Sequence, residues 1–205
     1  MKLFLASLAS ETLDLVIPLL PDKPQNLKLA FIPTAADPYV GQAMPWMDAD
    51  RATLAKMNFT VTDYDLKGKN ISTLRHDLSI YDVVFVEGGN TFYLLNEMRK
   101  SGFDIVIKEL LDKGAVYIGA SAGSMILGPD LNHLTTVDHP EIVPDLTDYR
   151  CLSLIKSRIL PHFGRDKYAS RHEELQKQWG DQILPLRDNQ ALIVNGDNME
   201  VVTKQ

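Results

Sequence analysis

The run Gly119-Ala120-Ser121-Ala122-Gly123 places a serine among residues too small to obstruct a sharp turn. On a strand-to-helix turn of this pattern the hydroxyl stands clear of the sheet, and the helix N-terminus behind it favours developing negative charge. A closely packed turn with Ser121 as an N-cap would use the same residues. One apolar run earlier stands Glu87-Gly88-Gly89-Asn90-Thr91-Phe92. Two glycines let the backbone turn its N–H groups outward, and Asn90 or Thr91 can cap the helix that follows. If the two runs are neighbouring strands, Gly89 N–H and Ala122 N–H converge on one oxygen as an oxyanion hole. An ordinary Gly-Gly turn before a capped helix is the plainer alternative. No Gly-Lys-Ser/Thr follows, which excludes a phosphate cradle of the Walker kind.

A serine hydroxyl needs a base to become a nucleophile. Of the five histidines, His162 follows Ile159-Leu160-Pro161 and so ends a short strand at the edge where ligands bind. His76 and His172 lie on polar stretches, and His133 and His139 lie in an irregular segment. Two aspartates compete to orient the base. Asp188 stands just before the apolar run Ala191–Val194, and Asp138 follows Thr135-Thr136-Val137 in the loop after the serine. Asp188 is the preferred partner, although either could be a turn residue or solvated charge. Arg165, Lys167 and Arg171 supply local positive charge close to His162.

The elements that must hold these residues follow from apolar periodicity. Leu3–Ala6, Leu29–Ile32, Phe59–Thr62, Val83–Val86 and Val116–Ile118 read as strands buried on both faces. Helices are predicted over residues 11–20, 39–57, 90–100 and 102–112, the last ending at Gly114. Strand–helix alternation demands crossovers, hence a mostly parallel sheet with helices on both faces. After an irregular stretch from about 128 to 157 come a strand near 158–160, a charged helix near 166–179 and short strands near 183–186, 191–194 and 199–202. Asn195-Gly196-Asp197-Asn198 predicts a closing hairpin. The expected organisation is one domain over residues 1–205.

Composition limits the partners. The 205 residues carry a net charge of −6, which opposes binding to nucleic-acid backbones and anionic membranes. The single cysteine, Cys151, excludes an intrachain disulfide and a multi-cysteine zinc site, and fits a reducing, cytoplasmic compartment. No apolar run approaches the ~20 residues of a membrane span. Met1–Ala6 is read as a buried strand because Glu11 and Asp14 follow too soon for a signal peptide.

Together, Glu87–Phe92, Tyr117–Gly123 and Leu160-Pro161-His162-Phe163 resemble peptidase E, the serine α-aspartyl dipeptidase family, in order and spacing. The resemblance implies a three-layer α/β/α sandwich related to class I glutamine amidotransferases. It also implies hydrolysis of dipeptides with an N-terminal aspartate, without metal or cofactor. By motif position Ser121 matches the family nucleophile and His162 the base. Asp188 falls where members carry a glutamate, and Asp138 where another acid has been assigned to the relay. Arg171 stands at a place comparable to a family arginine after the His-Phe pair and is the candidate for the substrate's carboxylate, although Lys167, Glu173 and Glu174 around it also suit a solvated helix face. Two departures stand out. Glu87 replaces the first of the family's three glycines, and the chain ends soon after Val202, where enterobacterial members have a longer tail. The expected partner is a small acidic dipeptide. The alternatives are hydrolysis of other small acidic amides or isopeptides, or a catalytically silent binding domain.

Overall fold

The computed structural model describes residues 1–205. Its main sheet has seven strands. In chain order these are β1 (Lys2–Ala6), β2 (Lys28–Ile32), β3 (Thr60–Asp63), β4 (Val83–Val86), β5 (Val116–Ala120), β8 (Gln190–Asn195) and β9 (Asn198–Thr203). Their spatial order is β3-β2-β4-β5-β1-β8-β9. The first five pair in parallel, whereas β8 runs antiparallel to both β1 and β9. The predicted hairpin is this β8–β9 pair, with Gly196 at φ +62° in its turn. The 3.2–3.4 Å rise and period of two send Leu3 and Leu5 to one face and Phe4 and Ala6 to the other, into two separate cores.

Helices cover both faces, as a parallel sheet requires. On one face pack α3 (Ile71–Leu78), α4 (Thr91–Ser101), α5 (Phe103–Asp112) and α6 (Ala122–Met125), through Leu74, Phe92, Met98, Ile107 and Met125. On the other lie α1 (Ala9–Thr12), the 3₁₀ segment Leu13–Leu19 and α2 (Pro45–Lys56), which bury Ala9, Leu13, Val16 and Leu54. Phe31 and Phe85 stack at 4.9 Å beneath this second layer. The result is a three-layer α/β/α sandwich.

Several elements differ from expectation. The helix expected over 11–20 is a short α-turn followed by a 3₁₀ segment, because Pro18 cannot donate and clashes within a longer α-helix. The helix expected over 39–57 begins only at Pro45, with Gly41 at φ +90° in the loop before it. Helix α3 was not foreseen. The strands β6 (Arg158–Leu160) and β7 (Ile183–Pro185) do not join the main sheet but form a separate parallel pair. Helix α7 (Ala169–Trp179) packs on that pair through Leu175, with Leu160 and Ile183.

Candidate active site

Pairing of β4 with β5 brings the two glycine-bearing turns side by side at the carboxyl end of the sheet. Ser121 has φ +45° and ψ −101°, a backbone state that costs a non-glycine residue of order 1–3 kcal/mol unless its surroundings enforce it. Those surroundings are explicit. Ser121 N–H donates to Ala6 O at 3.0 Å, and Ser121 O accepts from the amides of Ser124 and Met125 at 2.9 Å. The fully buried Tyr117 donates its hydroxyl to Gly123 O at 2.7 Å, bracing the turn from beneath. Gly123 admits no side chain, since a Cβ there would lie 2.1 Å from Val86 O. Gly89 has φ +145°, and its Cβ would meet Ala35 O at 2.1 Å. The amides of Gly89 and Ala122 donate to no main-chain carbonyl.

His162 and Asp188 come from the other sheet. In the parallel β6–β7 pair Leu160 lies opposite Pro185, so the residues two and three beyond emerge at the same end. Ser121 Oγ lies 3.2 Å from His162 Nε2, and His162 Nδ1 lies 2.7 Å from Asp188 Oδ1. Arg165 Nε donates to the other oxygen of Asp188. Burial works to raise the Asp188 carboxyl, but the hydrogen bonds from His162 and Arg165 outweigh it and bring it down to about 2. An ionised Asp188 can only accept, so the ring proton belongs on Nδ1 and Nε2 is left free to accept from the serine.

Asp138 lines the same cavity but is not bonded to His162. Its Oδ2 accepts Thr91 N–H at 2.7 Å and its Oδ1 accepts from Asn90 Nδ2 at 3.0 Å, closing the N-terminus of α4. Asn90 Oδ1 completes that cap by accepting Tyr93 N–H at 2.7 Å. The structure therefore brings Ser121, His162 and Asp188 together and leaves Asp138 bound to the Gly-Gly turn. Burial raises the Asp138 carboxyl, and the Thr91 hydrogen bonds partly oppose this.

Three contributions have no counterpart in the sequence reading. Ser7, buried at the end of β1, accepts His162 N–H at 2.7 Å and reaches Asp188 Oδ1 at 3.3 Å. Tyr168 stacks on the His162 ring at 6.0 Å. Asp50 and Glu87 line the cavity together. The Ser7 contacts span most of the chain, and neither the stacking of Tyr168 nor the meeting of Asp50 with Glu87 has a signature in residue spacing. The cavity of about 490 Å³ is also lined by Ser121, His162, Lys167 and Arg171. Arg171 is exposed and makes no ion pair, whereas Arg165, the other arginine of this stretch, is occupied by Asp188.

With this geometry in hand, comparison with known proteins is decisive. The model of peptidase family S51 matches residues 3–202. The chain belongs to that family. A peptidase of Listeria monocytogenes is 30% identical over 195 residues, covering 93% of each chain. Peptidase E of Escherichia coli is 32% identical over 185 residues, 88% of this chain and 75% of that one. A crystal structure from Listeria monocytogenes, provisionally named a peptidase E, superposes with a TM-score of 0.91 at 27% identity over 100% of this chain and 98% of the other. The S51 chain is thus a serine peptidase, a hydrolase. None of its helices is long and apolar enough to cross a membrane.

Proposed function

We propose that this S51 peptidase hydrolyses dipeptides bearing an N-terminal aspartate, with Ser121 as nucleophile, His162 as general base and Asp188 as the acid that orients it. The observation that carries the assignment is the contiguous chain Ser121 Oγ, His162 Nε2, His162 Nδ1 and Asp188 Oδ1, with steps of 3.2 and 2.7 Å, at the wall of the cavity. Ser121 Oγ attacks the scissile carbonyl as its proton passes to Nε2. The oxyanion is received by Gly89 and Ala122 N–H, and the imidazolium returns the proton to the departing amine. Water then attacks the acyl-enzyme by the same route and frees Ser121. Arg171, unpaired in the cavity lining, takes the aspartate side chain, since its planar fork suits a carboxylate.

We place this chemistry in one catalytic domain spanning residues 1–205 and in the cytoplasm, consistent with a lone cysteine and net charge of −6. A fluorophosphonate probe should label Ser121 and fail to label Ser121→Ala. Turnover on a panel of Asp-X, Asn-X, β-linked Asp-X and Ala-X dipeptides should favour Asp-X. Labelling combined with a preference for β-linked substrates would move the assignment to isopeptides. Absence of both labelling and turnover would make the chain a binding domain.

A further inference from the structure

Two carboxyl groups stand in the cavity wall with no role in the relay. Asp50 on α2 and Glu87 just after β4 are 1% and 0% exposed and neighbour one another in that wall. Each has one main-chain donor. Ser10 N–H lies 2.6 Å from Asp50 Oδ1, and Gly88 N–H lies 2.6 Å from Glu87 Oε1. Glu87 Oε2 finds no donor on the protein, because what faces it is another carboxyl. Neither group has a lysine, arginine or histidine within ion-pair distance. The Arg51 guanidinium, one residue along α2, lies over the Phe31 ring and pairs with Asp63 instead. Two buried carboxyls without a cation are costly, and a retained proton is the substitute while the cleft is empty.

We propose that the Asp50–Glu87 pair is the subsite for the free α-ammonium group of the substrate, which supplies the missing cation when the dipeptide binds. The inference rests on the dipeptidase reading above. Position selects the α-ammonium rather than a side-chain cation. Glu87 is two residues before Gly89, and a Cβ on the intervening Gly88 would lie 3.4 Å from Ser121 Cβ. The α-nitrogen of a peptide is separated from the scissile carbonyl carbon by one atom, so the group that binds it must flank the oxyanion donors. A metal ion is a poorer fit, because no third acidic, histidine or cysteine ligand joins the pair. The cleft also carries both signs of charge from different elements, with these carboxyls on α2 and after β4 and with Lys167 and Arg171 before and at the start of α7. That polarity matches a zwitterionic, acidic dipeptide.

The decisive probe is succinyl-leucine, which is Asp-Leu lacking only its amino group. Wild-type enzyme should favour Asp-Leu by about 10- to 100-fold in kcat/KM, the range of a charge-assisted hydrogen bond. Glu87→Gln, a near-isosteric change, should narrow that preference to a few-fold, chiefly by raising KM for Asp-Leu. An unchanged preference in folded Glu87→Gln would overturn the proposal. Proton release gives a readout free of turnover. Titrating Ser121→Ala with Asp-Leu in two buffers of different ionisation enthalpy should show protons expelled, and fewer in Ser121→Ala/Glu87→Gln. Equal release, or no binding, would overturn it. Wild-type enzyme that labels at Ser121 yet cleaves both substrates equally defeats this inference and spares the serine mechanism. Failure of labelling strikes the mechanism instead, and the titration still decides the subsite.

Discussion

The carboxylate of Asp188 is held at both oxygens, by His162 on one side and Arg165 on the other. It can therefore neither rotate away from the ring nor take up a proton near neutral pH, and its identity should be unforgiving. Asp188→Asn should lower kcat by roughly three to four powers of ten, because an amide favours the wrong imidazole tautomer and cannot stabilise imidazolium. Asp138→Asn should cost much less in kcat and appear instead as a loss of stability of about 1 kcal/mol, the scale of a helix cap. Steady-state kinetics with thermal melts separate the two, and the reverse ranking would transfer the role to Asp138. Arg171→Met should raise KM for Asp-X about 10-fold or more and narrow the preference over Asn-X. Equal loss on both substrates would return Arg171 to the solvated face of α7. Ser121 and His162 were legible in the sequence because small flanks and a strand end limit what those positions can be. The choice between Asp188 and Asp138 was not, since loop aspartates look alike until the pairing of β6 with β7 is known.

The turn between β5 and α6 is the element on which the proposed nucleophile depends, and Tyr117 is its brace. Tyr117→Phe removes one buried hydrogen bond and leaves Gly123 O without that donor. It should cost about 1–3 kcal/mol in stability, measured by urea unfolding. It should also lower kcat more than it raises KM, because a relaxed elbow misplaces Oγ without touching bound substrate. Loss of stability with unaltered kcat would mean that packing alone enforces the strained backbone of Ser121. The buried strands were readable as continuous apolar runs, and α4 and α5 as periodic ones. Helix α3 was not, because it buries only Leu74 and Leu78 among polar neighbours. Its one clear signal is Asn70, whose side chain accepts Thr73 N–H at the N-terminus. Nor could periodicity reveal that β6 and β7 leave the main sheet, since a two-stranded pair and a sheet strand share the same alternation.

For the molecule as a whole, the two sets of carboxyls pull stability in opposite directions with pH. Asp188 is more acidic folded than unfolded, so its contribution is present above pH 3.8 and is lost as pH falls towards about 2. Burial raises Asp50 from 3.8 to about 6, and burial with the facing Asp50 charge holds Glu87 well above its ordinary value; the Gly88 N–H bond and Arg51 oppose this only in part. These groups bind protons more tightly when folded, so stability falls as pH rises from about 4 through 6. Glu87→Gln removes one of the charges and should melt higher than wild type at pH 8, by roughly 2–4 °C for each kcal/mol gained. The difference should shrink at pH 4, and a pH-independent difference in differential scanning calorimetry would contradict the origin of the effect. The position of β1 carries one more consequence. This strand lies between β5 and β8, and its extension, Ser7, holds both His162 and Asp188. On the ribosome β1 has no flanking partner until residues 116–120 appear, and only one until residues 191–195 follow. The turn of Ser121 and the proposed base His162 thus remain apart until both have been made. The hydrolase stays silent as a nascent chain until the segment carrying Asp188 and β8 has left the ribosome.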